Sequence, residues 1–295
     1  MSKAVLFPGQ GSQFIGMGKG HYDSNPTFAN YVDQANEILG IDLKSIMFQG
    51  PEERLKQTEF TQPAIFLHSV ALFKTLGIKP DMVAGHSLGE FSALVACEAV
   101  SFEDALKIVR RRGELMQQAG SQNPGTMAAI IGMEDEAVED LCNQASTISG
   151  KEVVAANYNC PGQLVISGYN EAVEKAVELA KEKGARMAML LPVSGAFHST
   201  LMKPALDGLR DQLENLEIEI PSSPIYSNFT AKPTTNVEEI RSNLLDQLLN
   251  PVRWTQTLLN MMTDGADSFV EVGPGKVLQG LVKRTNRKAE TSGHQ

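Results

Sequence analysis

The sequence predicts an α/β protein on a parallel sheet, interrupted by a ferredoxin-like unit. Three observations carry this. Short apolar strands alternate with amphipathic helices near both ends of the chain, the pattern of a parallel sheet with crossover helices. A glycine-bounded serine turn lies between one such strand and the helix after it. In the middle the order changes to strand, helix, strand, strand, helix, strand.

Taken in order, residues 4–7 (Ala-Val-Leu-Phe) form the first strand and Pro8-Gly9-Gln10-Gly11-Ser12 a tight loop. Helical periodicity covers 26–39, with Ser24 or Asn25 as cap, and then 62–76. Met82-Val83-Ala84 is a short strand and 88–97 a buried helix. The middle unit has strands at 127–133, 153–158, 163–167 and 187–192, and helices at 135–144 and 170–183. Helices resume after His198. Residues 268–272 form another strand, followed by Gly273-Pro274-Gly275, and 289–295 is expected to be a mobile end. A discontinuous large domain, 1–123 and 195–295, therefore surrounds a small one, 124–194.

Composition narrows the function. With 295 residues, 42% hydrophobic and 21% charged, the chain can bury a core of ordinary size. Its net charge of -9 disfavours nucleic acid, which selects clustered Lys and Arg. No apolar run reaches membrane-span length and no secretory leader is expected. Cys97, Cys142 and Cys160 are scattered and odd in number, which fits reduced cytoplasmic thiols better than a disulfide frame or a metal site.

Gly85-His86-Ser87-Leu88-Gly89 fits G-x-S-x-G in the context a nucleophile elbow needs, strand before and helix after. The helix N-terminus behind Ser87 supplies unpaired N–H groups for a developing oxyanion. The bland alternative is a strand-to-helix turn with a capping serine. A serine hydroxyl needs a base. Of five histidines, His21 and His294 read as surface residues, His68 as a packed helix residue, and His86 as diverging from its neighbour. His198 remains, in a small-residue loop after a strand. No aspartate stands out as a third member, so a dyad and a triad both stay open.

At 100° per residue, Ala105, Ile108, Val109, Leu115 and Met116 share one face of a helix capped by Ser101. Arg112 falls in the middle of that apolar stripe. A buried guanidinium must be paired, either in a structural salt bridge or by a substrate carboxylate gripped bidentately. Gly9-Gln10-Gly11 is a poor dinucleotide site, because Phe14 stands where G-x-G-x-x-G needs its third glycine. The loop can instead lend an N–H to an oxyanion hole.

These segments together resemble malonyl-CoA:acyl carrier protein transacylases over about residues 3–288. The landmarks are Phe7-Pro8-Gly9-Gln10-Gly11-Ser12-Gln13, Thr61-Gln62-Pro63-Ala64, Gly85-His86-Ser87-Leu88-Gly89-Glu90 and Arg112-Gly113. Asn159-Cys160-Pro161-Gly162-Gln163, Phe197-His198-Ser199, Gln247-Leu248-Leu249-Asn250-Pro251-Val252 and Glu271-Val272-Gly273-Pro274-Gly275 follow in order.

The resemblance implies an α/β-hydrolase-like large domain with a ferredoxin-like insert. It implies that Ser87 carries the acyl group, His198 is its base, and the N–H groups of Gln10 and Leu88 hold the oxyanion. Arg112 would grip the malonyl carboxylate and Gln62 would line the site. The side chain of Gln247 would support the catalytic region in place of a triad aspartate. Phe197, just before the histidine, is the residue that malonyl-selecting relatives tend to carry, and its ring would crowd an α-methyl branch. Malonyl-CoA and an acyl carrier protein are the implied partners, for fatty-acid synthesis, in a cytoplasmic monomer with no cofactor, metal, nucleic acid or membrane. A free-standing acyltransferase of a polyketide pathway would use the same residues. An acidic carrier needs a local cationic surface, for which Lys276, Lys283, Arg284, Arg287 and Lys288 are candidates beside a reading as solvated charges. A serine hydrolase or thioesterase and a non-enzymatic carrier-binding protein are the rival classes.

Overall fold

The protein is described here by a computed structural model covering residues 2–295. The described residues form ten strands: β1 (Ser2–Phe7), β2 (Met82–Gly85), β3 (Thr126–Ile131), β4 (Val153–Cys160), β5 (Gln163–Gly168), β6 (Met187–Leu190), β7 (Ile225–Tyr226), β8 (Pro233–Thr234), β9 (Ala266–Val272) and β10 (Glu290–His294). They make a six-stranded sheet, β10-β9-β1-β2-β7-β8, and a four-stranded sheet, β4-β5-β3-β6. The large sheet is parallel except for the β7–β8 pair, and the small one is antiparallel throughout. The fold is mixed α/β.

Central strands of a parallel sheet are covered on both faces and so read as continuous apolar runs. Ala4–Phe7 and all of β2 are buried. The helix Thr58–Leu76 is buried on nearly every side and packs on the helix Phe102–Gln122. That first helix begins four residues before the expected start at Gln62. Pro63 obscured it, since proline removes one helical N–H. Proline at 63 leaves the carbonyl of Glu59 without its i+4 donor, and Nη1 of Arg110 takes its place at 2.6 Å. The two helices approach closely at Gly113, where a Cβ would lie 2.8 Å from the Thr58 carbonyl oxygen.

Alternation in the small sheet divides its two faces. Ala128, Ile130, Leu164 and Ile166 pack on the helices Asp135–Ser149 and Asn170–Glu182. Met127 and Val165 point the other way, into the core shared with the large sheet. The helix expected over 135–144 continues to Ser149, where Gly150 stops it with φ 68°.

The segment from Ala289 is not a mobile end. Glu290–His294 adds a parallel strand to β9, and the N–H of Gly273 donates to the carbonyl of His294 at 3.1 Å. Its side chains are mostly exposed. Backbone pairing, with bonds from Lys283 Nζ to the Ala289 carbonyl and between His21 Nε2 and the Gln295 carbonyl, holds this edge strand, so no hydrophobic pattern announces it.

Candidate active site

The turn after β2 is shaped by what its glycines cannot be. A Cβ on Gly85 would lie 1.8 Å from the carbonyl carbon of Gly89, and one on Gly89 would lie 2.2 Å from the oxygen of Phe7. Only hydrogen fits at both flanks, so the strand reverses directly into the helix Gly89–Ala96. Ser87 itself is left with φ 51°, a left-handed conformation that costs a non-glycine residue on the order of 1 kcal/mol and persists only when its surroundings hold it. Three side-chain bonds do so: the Ser87 N–H donates to Oδ1 of Asn228 at 2.6 Å, Nδ2 of Asn228 donates to the Gly85 carbonyl at 2.7 Å, and Nε2 of Gln247 donates to the Ser87 carbonyl at 3.0 Å.

The turn raises Ser87 into a cavity of about 320 Å³. The large-sheet side supplies Gln10, Ser87 and Leu88, and the small sheet supplies Met127, Asn157 and Val165. Of the residues singled out from sequence, Ser87, His198, Gln10, Leu88, Arg112, Gln62 and Phe197 all line it. Gln247 does not; it stands directly behind.

Ser87 Oγ is 2.9 Å from Nε2 of His198. The other ring nitrogen, Nδ1, lies 2.9 Å from the carbonyl oxygen of Gln247. A carbonyl only accepts, so Nδ1 carries the proton and Nε2 is left as the acceptor for the serine hydroxyl. The open choice between dyad and triad thus falls to a dyad oriented by a backbone carbonyl. The Gln247 main chain orients the histidine, while its side chain accepts from Nη2 of Arg112 at 2.9 Å and its Nε2 donates to the Ser87 carbonyl at 3.0 Å. Burial and the nearby Arg112 charge push the His198 imidazole down to about 3, so it is neutral across the physiological range.

Arg112 is 1% exposed. Its Nη1 donates to Oε1 of Gln62 at 2.7 Å, and its Nη2 to Oε1 of Gln247 at 2.9 Å and to Ser87 Oγ at 3.1 Å. Among the described residues no carboxylate lies within ion-pair distance, so the structural salt bridge weighed for this residue is not formed. Among the described residues its Nε has no hydrogen-bond partner. Burial lowers the guanidinium to about 10, which still leaves it charged at neutral pH. The result is a desolvated cation held by neutral amides beside the serine.

Gln10 and Leu88 each present a backbone N–H with no acceptor among the described residues. Phe197 is 6% exposed and shares the apolar core beside the cavity. His86 turns away from Ser87, as adjacent residues in an elbow must, and its Nε2 meets Oδ1 of Asn159 at 2.9 Å.

Sequence reasoning gave no role to two members of this constellation. Glu90 is fully buried, and its carboxyl meets the side-chain amide of Gln247. Burial pushes it up to about 8, so at neutral pH it is mostly a neutral acid. It was visible as the acidic residue closing Gly85–Gly89, where a charged type in an apolar helix is a signal. Asn228 lies 141 residues beyond Ser87, and nothing in the sequence marks it.

Among the described residues no group of three His, Cys, Asp or Glu is placed to hold a metal ion, and no helix is long and apolar enough to cross a membrane. The three cysteines are buried and free.

Comparison with known proteins matches residues 5–294 to the family described as the acyl transferase domain. The malonyl CoA-acyl carrier protein transacylase of Bacillus subtilis is 48% identical over 295 residues, covering 99% of this chain and 93% of that protein. The solved structure of the malonyl CoA-acyl carrier protein transacylase from Coxiella burnetii superimposes with a TM-score of 0.96 at 41% identity, covering 99% of this chain and 93% of that one. A malonyl-transacylase solved in complex with its type II PKS acyl-carrier protein gives a TM-score of 0.95 at 40% identity, covering 100% and 96%. Identity and coverage this high leave one conclusion: the chain belongs to the acyl transferase domain family, among its malonyl CoA-acyl carrier protein transacylases.

Proposed function

We propose that this chain moves a malonyl group from malonyl-CoA to the phosphopantetheine thiol of an acyl carrier protein through a malonyl-Ser87 ester, in fatty-acid synthesis. The observation that carries the reading is the single oxygen of Ser87, met at 2.9 Å by a neutral imidazole and at 3.1 Å by an arginine without a carboxylate partner.

The steps follow from these groups. Nε2 of His198 takes the hydroxyl proton as Oγ attacks the thioester carbonyl carbon. The oxygen of the tetrahedral intermediate takes the negative charge between the N–H groups of Gln10 and Leu88. Collapse breaks the carbon–sulfur bond, and coenzyme A leaves as a thiol with the proton from His198. The carrier's thiol then repeats the sequence in reverse on the ester. A malonyl carboxylate seated at Arg112 also offsets the charge that depresses His198. The correct substrate therefore strengthens its own base, which a neutral acetyl group does not do.

The same reading includes several finer points. The architecture is an α/β-hydrolase-like large domain, 1–123 and 195–295, with a ferredoxin-like domain, 124–194. The antiparallel order β4-β5-β3-β6 supports the second of these. The chain acts as a cytoplasmic monomer with no resident cofactor, and Phe197 narrows the space for an α-branched acyl group.

Intact-mass measurement after mixing with malonyl-CoA tests the core claim. One malonyl adduct on Ser87 is expected, discharged by holo carrier protein and absent in Ser87→Ala. An adduct that survives Ser87→Ala refutes the nucleophile. Hydrolysis unaffected by the carrier would make the protein a thioesterase.

A further inference from the structure

We infer that Asn228 is a positioning residue for acylation, the clamp that keeps the serine elbow in its reactive conformation. This rests on the reading of Ser87 as the nucleophile.

The side chain of Asn228 is fully buried and makes two bonds, both to the turn that carries Ser87. Its Oδ1 takes the Ser87 N–H and its Nδ2 holds the Gly85 carbonyl, so one planar amide spans the turn from strand end to nucleophile. The main chain of the residue is tied as well: its carbonyl accepts from the N–H of Arg253 at 3.0 Å. The amide is therefore fixed from behind while it grips the turn in front.

Two consequences follow. First, Ser87 stands at φ 51° only while something opposes its relaxation, and these two bonds do so together with the one from Nε2 of Gln247 to the Ser87 carbonyl. Relaxation would swing Oγ away from His198 and Arg112 together. Second, the Ser87 N–H is committed to Asn228, so it cannot compete for the oxyanion. That leaves the unpartnered N–H groups of Gln10 and Leu88 as the donors. Asn228 does not line the cavity, so it makes no direct contact with bound malonyl-CoA.

Rapid-mix measurement of malonyl-Ser87 formation over a range of malonyl-CoA tests this on the full chain. Asn228→Ala removes both bonds. Asn228→Leu removes them while filling nearly the same volume, so that a cavity is not the cause. Each is expected to lower the limiting acylation rate per loaded site by about 10- to 100-fold, the scale of a reacting atom misplaced by about 1 Å. The half-saturating malonyl-CoA concentration should stay within about twofold of the parent. A residue needed only for folding would reduce the loaded fraction and leave the rate per loaded site alone. A limiting rate within about threefold of the parent in either variant, or a loss confined to half-saturation, overturns the inference. Failure of the parent itself to load Ser87 would instead sink the functional reading.

Discussion

Arg112 Nη2 lies 3.1 Å from Ser87 Oγ, a full positive charge in contact with a neutral hydroxyl and facing no carboxylate. Proteins seldom leave a buried cation without a counter-charge. Here Gln62 and Gln247 solvate it with carbonyl oxygens, which hold the charge in place without cancelling it. An anion seated there, the proposed malonyl carboxylate, would supply the missing counter-charge.

Arg112→Ala should therefore lower loading from malonyl-CoA far more than loading from acetyl-CoA. One lost charge-assisted interaction is worth about 1.5–3 kcal/mol, or about a 10- to 100-fold loss of preference. Competitive loading from a mixture of the two thioesters, read by mass, measures it directly. Equal losses for both would make the arginine a packing residue.

His198→Ala should slow formation of the Ser87 ester by about 10²–10⁴-fold, since no second imidazole is within reach of the hydroxyl. The parent enzyme should show no loss of kcat/KM near pH 6.5, because the depressed imidazole is already the free base there. A pH profile with an acid limb at an ordinary histidine value would contradict the environment described for this ring.

Glu90 ties stability to pH. Its folded value of about 8 lies above the ordinary carboxyl value of 4.5, so between these the folded state holds a proton that the unfolded state has lost. Its contribution is fully present below about 4.5 and is lost as pH rises through about 8. Glu90→Gln keeps the shape and removes the titration. The Tm of Glu90→Gln relative to the parent should rise steadily from pH 5 to 8. A difference that is flat with pH would mean the carboxyl is already ionised in the fold.

The cationic residues near the C-terminal helix are exposed, and Arg284 donates to Gln163, which lines the cavity. Reversing the charge of Lys276, Arg287 and Lys288 should weaken transfer to an acidic carrier and steepen no other step. Loading from malonyl-CoA alone should be unchanged. Stopped transfer with normal loading supports docking there; normal transfer assigns these charges to solvation.

Local chemistry was legible in the chain itself. Glycine at 85 and 89 and serine at 87 announce an elbow because only hydrogen clears the crossing backbone at both flanks. Arg112 was visible because helical periodicity put a charge in the middle of an apolar stripe, and the strand order of the middle segment follows from its alternating patterns. What the sequence left open concerns bonds formed across long separations. The carbonyl that orients His198 belongs to residue 247, and the amide that holds the turn belongs to residue 228. The strand at 290–294 is fixed by backbone groups that every residue possesses. A side-chain pattern records which face a residue buries, but it does not record whose carbonyl or amide waits on the other side. Only the packing of two sheets around one cavity decided that.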